Sequence, residues 1–147
     1  MVLNIVINEE PFSLNGAYSN VKGKGRILTK KAESFKKIVS LQTSIALNKS
    51  ENFPIRAMKD FYFSTEIYFF SPKFLTKEKD ISQNKPDTSN CIKLLEDGIF
   101  EALGIDDYLS IDFDCIRFRY SKEPKIIVIL KVHDISRLNN PLFEALS

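Results

Sequence analysis

The sequence has no tryptophan, one histidine and two cysteines among its 147 residues. That scarcity removes whole classes of chemistry. A zinc centre or a Ser–His–Asp triad needs a histidine with suitable partners. His133 lies inside the apolar run KIIVILKVH and reads as a core or edge residue. Cys91 and Cys115 have neither CxxC spacing nor a histidine nearby, and read as buried, reduced thiols. No apolar run approaches the roughly 18 residues of a membrane span. The N-terminus, MVLNIVINEEPF, lacks the basic region and cleavage site of a secretory signal, so a cytoplasmic location without membrane contact is expected. Neither GxxxxGK[ST] nor GxGxxG occurs, so Lys22–Gly25 is not a recognisable nucleotide loop.

What is present suits one globular domain, residues 1–147. Hydrophobic residues are 44% and charged residues 27%, ordinary values for a packed core with a polar surface. Val2–Asn8 is apolar and β-branched, a first strand ended by Pro11. Thr29 is placed to cap a helix to about Leu47, with Ala32, Phe35, Ile38, Val39, Ser40, Ile45 and Ala46 as its buried stripe. Residues 48–58 read as a linker. Lys59–Phe70 alternates over enough residues for a long strand covered on both faces. Residues 71–84 read as a polar loop. Thr88 or Ser89 is placed to cap a second helix, with Ile92, Leu95, Ile99 and Leu103 inward and Gly104 ending it in a left-handed conformation. Residues 111–120 change phase between Cys115 and Ile116, which predicts a bulge there. Lys125–His133 reads as a central strand, and the last dozen residues as a short helix or tail. The expectation is an α/β (α+β) domain: a mixed sheet of about four strands with helices on it, in the order β-α-β-α-β-β.

Net charge is only +2, yet Lys22, Lys24, Arg26, Lys30, Lys31, Lys36 and Lys37 crowd one stretch against a single acid, Glu33. Such a patch suits a polyanion approaching one face. It equally describes a solvated loop and helix face. The loop SLNGAYSNVKGKGR is read as mobile, ordering on DNA.

Acids crowd a different stretch, KPDTSNCIKLLEDGIFEALGIDD, residues 85–107. Asp87 precedes the second helix, Lys93, Glu96 and Asp97 lie on it, and Asp106 and Asp107 follow it. Converging carboxylates with one lysine among them repel unless a cation or a proton sits between them. The bland alternative is a helix-terminal Asp, a paired lysine and a solvated Asp-Asp turn. Gly98 in mid-helix costs about 1 kcal/mol against alanine, which suggests close approach by another helix or by substrate.

Asp87, Asn90, Lys93, Asp97, Asp106 and Asp107 fall in an order and spacing that resembles the RusA family of Holliday junction resolvases. The preceding Lys85-Pro86 is also often seen in that family. The N-terminal half matches it loosely, as a strand, a basic glycine-rich loop and a basic helix. The resemblance implies a homodimeric, Mg²⁺-dependent endonuclease, with Mn²⁺ as a possible substitute, that nicks branched four-way DNA symmetrically in recombination and repair. It implies Asp87, Lys93 and Asp107 as catalytic residues. Asp87 and Asp107 would be the principal metal ligands, with Asp106 and Asp97 or Glu96 supporting them. Lys22, Lys24, Arg26, Lys30, Lys37, Lys85, Arg117 and Arg119 would contact DNA. A bacterial or phage origin is expected, and the richness in Lys, Asn and Ile suits an AT-rich genome. One departure matters: the family's second Asp is Ser89 here. Glu96, on the same helical face, is a candidate replacement. Without it the chain would be a weakened junction-binding protein of the same fold.

Overall fold

The computed structural model describes residues 1–50, 53, 60–83 and 88–139. Among the described residues, six strands and two α-helices form a mixed four-stranded sheet with both helices on one face, and a separate hairpin. The strands are β1 (Val2–Ile7), β2 (Tyr18–Val21), β3 (Gly25–Leu28), β4 (Phe61–Ser71), β5 (Ser110–Tyr120) and β6 (Lys125–Asp134). The helices are α1 (Lys30–Lys49) and α2 (Thr88–Leu103). The main sheet has the order β1-β6-β4-β5. β6 is antiparallel to both its neighbours, and β4 is parallel to β5. A parallel pair needs a crossover, and α2 provides it.

Parity explains the core. Leu3, Ile5 and Ile7 of β1, Phe63, Ile67 and Phe69 of β4, and Ile126, Val128 and Leu130 of β6 are all buried. They meet Phe35 and Val39 of α1 and Leu94, Leu95, Ile99 and Phe100 of α2. Burying one such side chain contributes about 1.5–3 kcal/mol. A Cβ at Gly98 would lie 2.8 Å from Val39 Cγ1 and 3.0 Å from the Lys36 carbonyl oxygen. The close approach expected at Gly98 is therefore by α1.

The expected element order holds, with β2–β3 added. The segment read as a mobile loop is a β-hairpin. Its turn closes with the Lys24 N–H on the Val21 carbonyl at 3.0 Å. Gly23 there has φ +81°, as the third residue of a type II turn requires. Thr29 caps α1 as expected, accepting from the Ala32 N–H at 3.3 Å. Ile45, read into the buried stripe of α1, is exposed, and the buried Thr43 takes a core position instead. The Thr43 hydroxyl reaches it by donating to the Val39 carbonyl at 2.8 Å. Residues 71–83 are not a plain loop either. A 3₁₀ turn buries Phe74 edge-on against Phe118, and Leu75 bridges to Ile81.

Two register shifts between β4 and β5 leave Ile111 and Asp114 as the extra residues. The second lies one residue before the expected position, and the first, at Ile111, was not expected. α2 already includes Thr88 and Ser89, so neither stands ahead of it as a cap. Cys91 is buried and Cys115 only partly so, and neither forms a disulfide among the described residues. The tail begins as a 3₁₀ turn, Ile135–Asn139. No described helix is long and apolar enough to cross a membrane.

Candidate functional site

α2 positions three of the expected residues, and the chain reversal after it positions the others. Gly104, with φ +67°, ends α2. Its N–H donates to the Glu101 carbonyl at 3.2 Å, and the Ile105 N–H donates to the Phe100 carbonyl at 3.4 Å. This paired closure satisfies the last helix carbonyls and turns the chain back. Asp106 then caps a 3₁₀ turn, Asp107–Leu109, accepting from the Tyr108 N–H at 3.4 Å. The reversal sets Asp107 Oδ2 2.8 Å from Lys93 Nζ. Asp97, one helical turn from Lys93, places Oδ1 3.0 Å from the same ammonium. Glu96 turns toward the sheet, where Oε1 accepts from the Ser110 hydroxyl at 2.9 Å.

The electrostatics follow from these contacts. Hydrogen bonds to Asp107 and then to Asp97 hold the Lys93 ammonium well above the usual lysine range, so it stays charged. The same lysine holds the Asp107 carboxyl below its ordinary value. Glu96 is pushed the other way: burial raises its carboxyl, against the lowering by the Ser110 hydroxyl and Lys93.

The donor set here is all oxygen, the kind that hard divalent cations take. Asp97 and Asp107 fit such a cation as a pair, since they already share one ammonium. Among the described residues, no three acids converge tightly enough to hold a metal by themselves. Asp87 and Lys85 lie outside the described residues.

The profile of the endodeoxyribonuclease RusA family matches residues 10–131. The chain belongs to the RusA family. By membership it is an endodeoxyribonuclease of the junction-resolving kind. A search of curated proteins finds no match.

The matched region of this RusA-family chain spans the basic residues as well, and the fold divides them. Lys22, Lys24 and Arg26 are exposed on the hairpin, which leads directly into exposed Lys30 and Lys37 of α1. Lys36 is paired, 2.9 Å from Glu101. Arg117 and Arg119 are also exposed, but lie on the edge strand β5 opposite Tyr68 and Phe70. Their parity is the reverse of Ile67 and Phe69, so they stand on the sheet face away from the helices. The expected DNA-contacting set is therefore two surfaces.

Sequence reasoning missed a second polar cluster on that helix-free face. His133 does have partners. Its Nε2 lies 2.7 Å from Ser64 Oγ, and the Ser64 hydroxyl donates to Asp114 Oδ2 at 2.9 Å. Arg137 Nη1 lies 2.6 Å from His133 Nδ1. A guanidinium only donates, so Nδ1 accepts and Nε2 carries the proton. The chain of donors therefore runs from Arg137 through His133 and Ser64 to Asp114. That is opposite to a nucleophilic triad, in which histidine must accept the serine proton. Burial and then Arg137 push the His133 imidazole below its ordinary pKa, consistent with a neutral ring. Lys131 closes the cluster, 2.7 Å from Glu66 and 3.4 Å from Asp114. Ser64, Glu66, Lys131 and His133 share the non-core parity of their strands, which was a legible signal. The β4–β6 pairing that brings them together was not.

Proposed function

We propose that this chain nicks four-way DNA junctions as a Mg²⁺-dependent homodimer, using the carboxylates around Lys93. The observation that carries the reading is the Lys93 ammonium seated between Asp97 and Asp107, in a family of junction endonucleases. Asp107 and Asp97, with Asp106 beside them and Asp87 by resemblance, would hold Mg²⁺ or Mn²⁺. Bound there, the cation would supply an activated water and neutralise charge on the scissile phosphate. Lys93 has a second role open to it. A phosphate oxygen can replace one carboxylate as its partner, placing a fixed positive charge where negative charge develops. Asp106 orders the turn that presents Asp107. The hairpin and α1 lysines would track one DNA arm, making binding weaken with salt. Two copies related by a two-fold axis would match the symmetry of a junction.

A second reading is favoured by Ser89 and by the lack of three converging acids among the described residues. In it the chain binds junctions but cleaves poorly. The deciding assay uses a synthetic four-way junction with linear duplex as control, in Mg²⁺ and in Mn²⁺. Paired nicks that vanish in Asp107→Asn support the nuclease. Tight junction binding without nicks supports the weakened binder. Equal binding to junction and duplex removes both.

A further inference from the structure

From Ser13 to Ala32 the chain carries Lys22, Lys24, Arg26, Lys30 and Lys31 and no acid. Phosphate attraction alone would require only the lysines at the hairpin tip. The flank of the hairpin is built differently. Tyr18 and Asn20 alternate onto one face of β2, and Arg26 of β3 stands directly opposite Asn20. The Arg26 guanidinium lies over the Tyr18 ring, 4.2 Å from its centroid. Beside this pair, Leu14, Asn15, Tyr18, Asn20 and Arg26 line a concavity of about 380 Å³. Its floor is anchored. The 3₁₀ turn Leu14–Gly16 packs on α2, Ala17 is buried, and the Thr29 N–H donates to the Ala17 carbonyl at 2.8 Å. In the turn beyond it, a Cβ added at Gly23 or Gly25 would meet nothing within 4 Å.

We propose that this concavity is a nucleobase site, taking one unpaired base of the DNA. A guanidinium seated over the tyrosine ring has a second planar face on which a base can stack. The Asn15 and Asn20 amides each carry donors and an acceptor, so together they can meet the polar edge of any base. Leu14 supplies an apolar wall. A base inside a duplex has both faces covered by its neighbours and cannot enter. The ligand is therefore a single-stranded or branch-point nucleotide. The inference rests on DNA being the partner and identifies which part of it the hairpin distinguishes.

The test is metal-free binding of the full-length chain to a fluorescent single-stranded oligonucleotide, compared with one of equal length bearing abasic sites. A stacked base contributes about 1–3 kcal/mol, so removing the bases is expected to weaken binding roughly tenfold. Tyr18→Ala and Asn20→Ala should each lower the intact oligonucleotide toward the abasic affinity. Asn20 is exposed, so its loss leaves the core intact. Equal affinity for intact and abasic strands would overturn the proposal, as would a base dependence that survives both substitutions. The outcome is separable from the nuclease reading. Base dependence without junction nicking leaves the pocket standing and removes the nuclease, and the reverse result does the opposite.

Discussion

Lys93 lies 2.8 Å from Asp107 and 3.0 Å from Asp97; Lys131 lies 2.7 Å from Glu66 and 3.4 Å from Asp114. Each lysine holds two carboxylates, yet their surroundings differ. Around Lys131, Arg137 adds a second cation, and Glu66, Lys131, Asp114, Ser64, His133 and Arg137 form one hydrogen-bonded chain. All but Arg137 stand on paired strands. Around Lys93, Asp97 and Asp107 share one ammonium, Glu96 lies near it on α2 but bonds Ser110, and Asp106 and Asp107 stand at a short turn. The sheet cluster is close to balanced and closes on itself. The α2 cluster carries excess negative charge at an exposed edge. Under the proposed reading the second cluster takes a further cation, which would make the same lysine–carboxylate motif structural in one place and chemical in the other.

The largest expected difference is in activity. Lys93→Met is expected to reduce junction nicking by about 10²–10³, the usual loss on removing one preorganised charge-stabilising donor. Lys131→Met is expected to leave nicking within a few-fold of the parent while lowering the melting temperature. Single-turnover rates on the same junction check both. Equal losses in the two variants would erase the distinction between the clusters.

Next in size is stability. Ser64 is 2% exposed and serves both the His133 N–H and the Asp114 carboxylate. Ser64→Ala removes the partner of the His133 N–H and one of the partners of exposed Asp114, which keeps Lys131, at about 1 kcal/mol. The expected readout is a lower urea midpoint with nicking retained. Asp107→Asn should show the converse, nicking lost with the urea midpoint little changed, since its ion pair with Lys93 is exposed.

The clusters should also separate along pH. The His133 pKa is depressed in the fold, so its contribution is present above the unfolded value of about 6.5 and lost as pH falls through the folded one. Asp107 is depressed too, but from about 4, so its contribution persists to lower pH. Melting temperatures between pH 7 and 5 should therefore fall more in the parent than in His133→Gln. Parallel curves would show that the Arg137–His133–Ser64 chain does not bear on stability.

The sheet cluster was invisible in sequence because its members come from four elements of distant sequence. Ser64 and Asp114 are 50 residues apart, and Ser64 and His133 are 69 apart. Only strand register joins them. The α2 cluster was legible because it is local: Lys93 and Asp97 are one helical turn apart, and Gly104 advertised the reversal that returns Asp107. Helices, strands and the central place of β6 could be read from periodicity for the same reason. The hairpin was missed because Val21 and Ile27 are exposed. With no buried face of its own, that ribbon has no alternation to read, and its glycines looked like slack rather than a turn.

The smallest expected effect concerns Ser89 and Glu96. Ser89 is exposed on the first turn of α2, where a carboxylate gains about 0.3–1 kcal/mol from the helix N-terminus. Ser89→Asp should therefore be slightly stabilising, and should lower the Mg²⁺ concentration for half-maximal nicking. Glu96 pulls the opposite way. Its raised pKa means that ionising it costs stability as pH climbs past the unfolded glutamate value, and Ser110 offsets only part of this. Glu96→Gln should thus be neutral or slightly stabilising at pH 7. If Glu96 stands in for the acid that Ser89 lacks, Glu96→Gln raises the Mg²⁺ requirement and Ser89→Asp in the same chain restores it. A Glu96→Gln protein with an unchanged Mg²⁺ titration would instead leave Glu96 as a strap between α2 and β5, and confine the metal-binding acids to those facing Lys93.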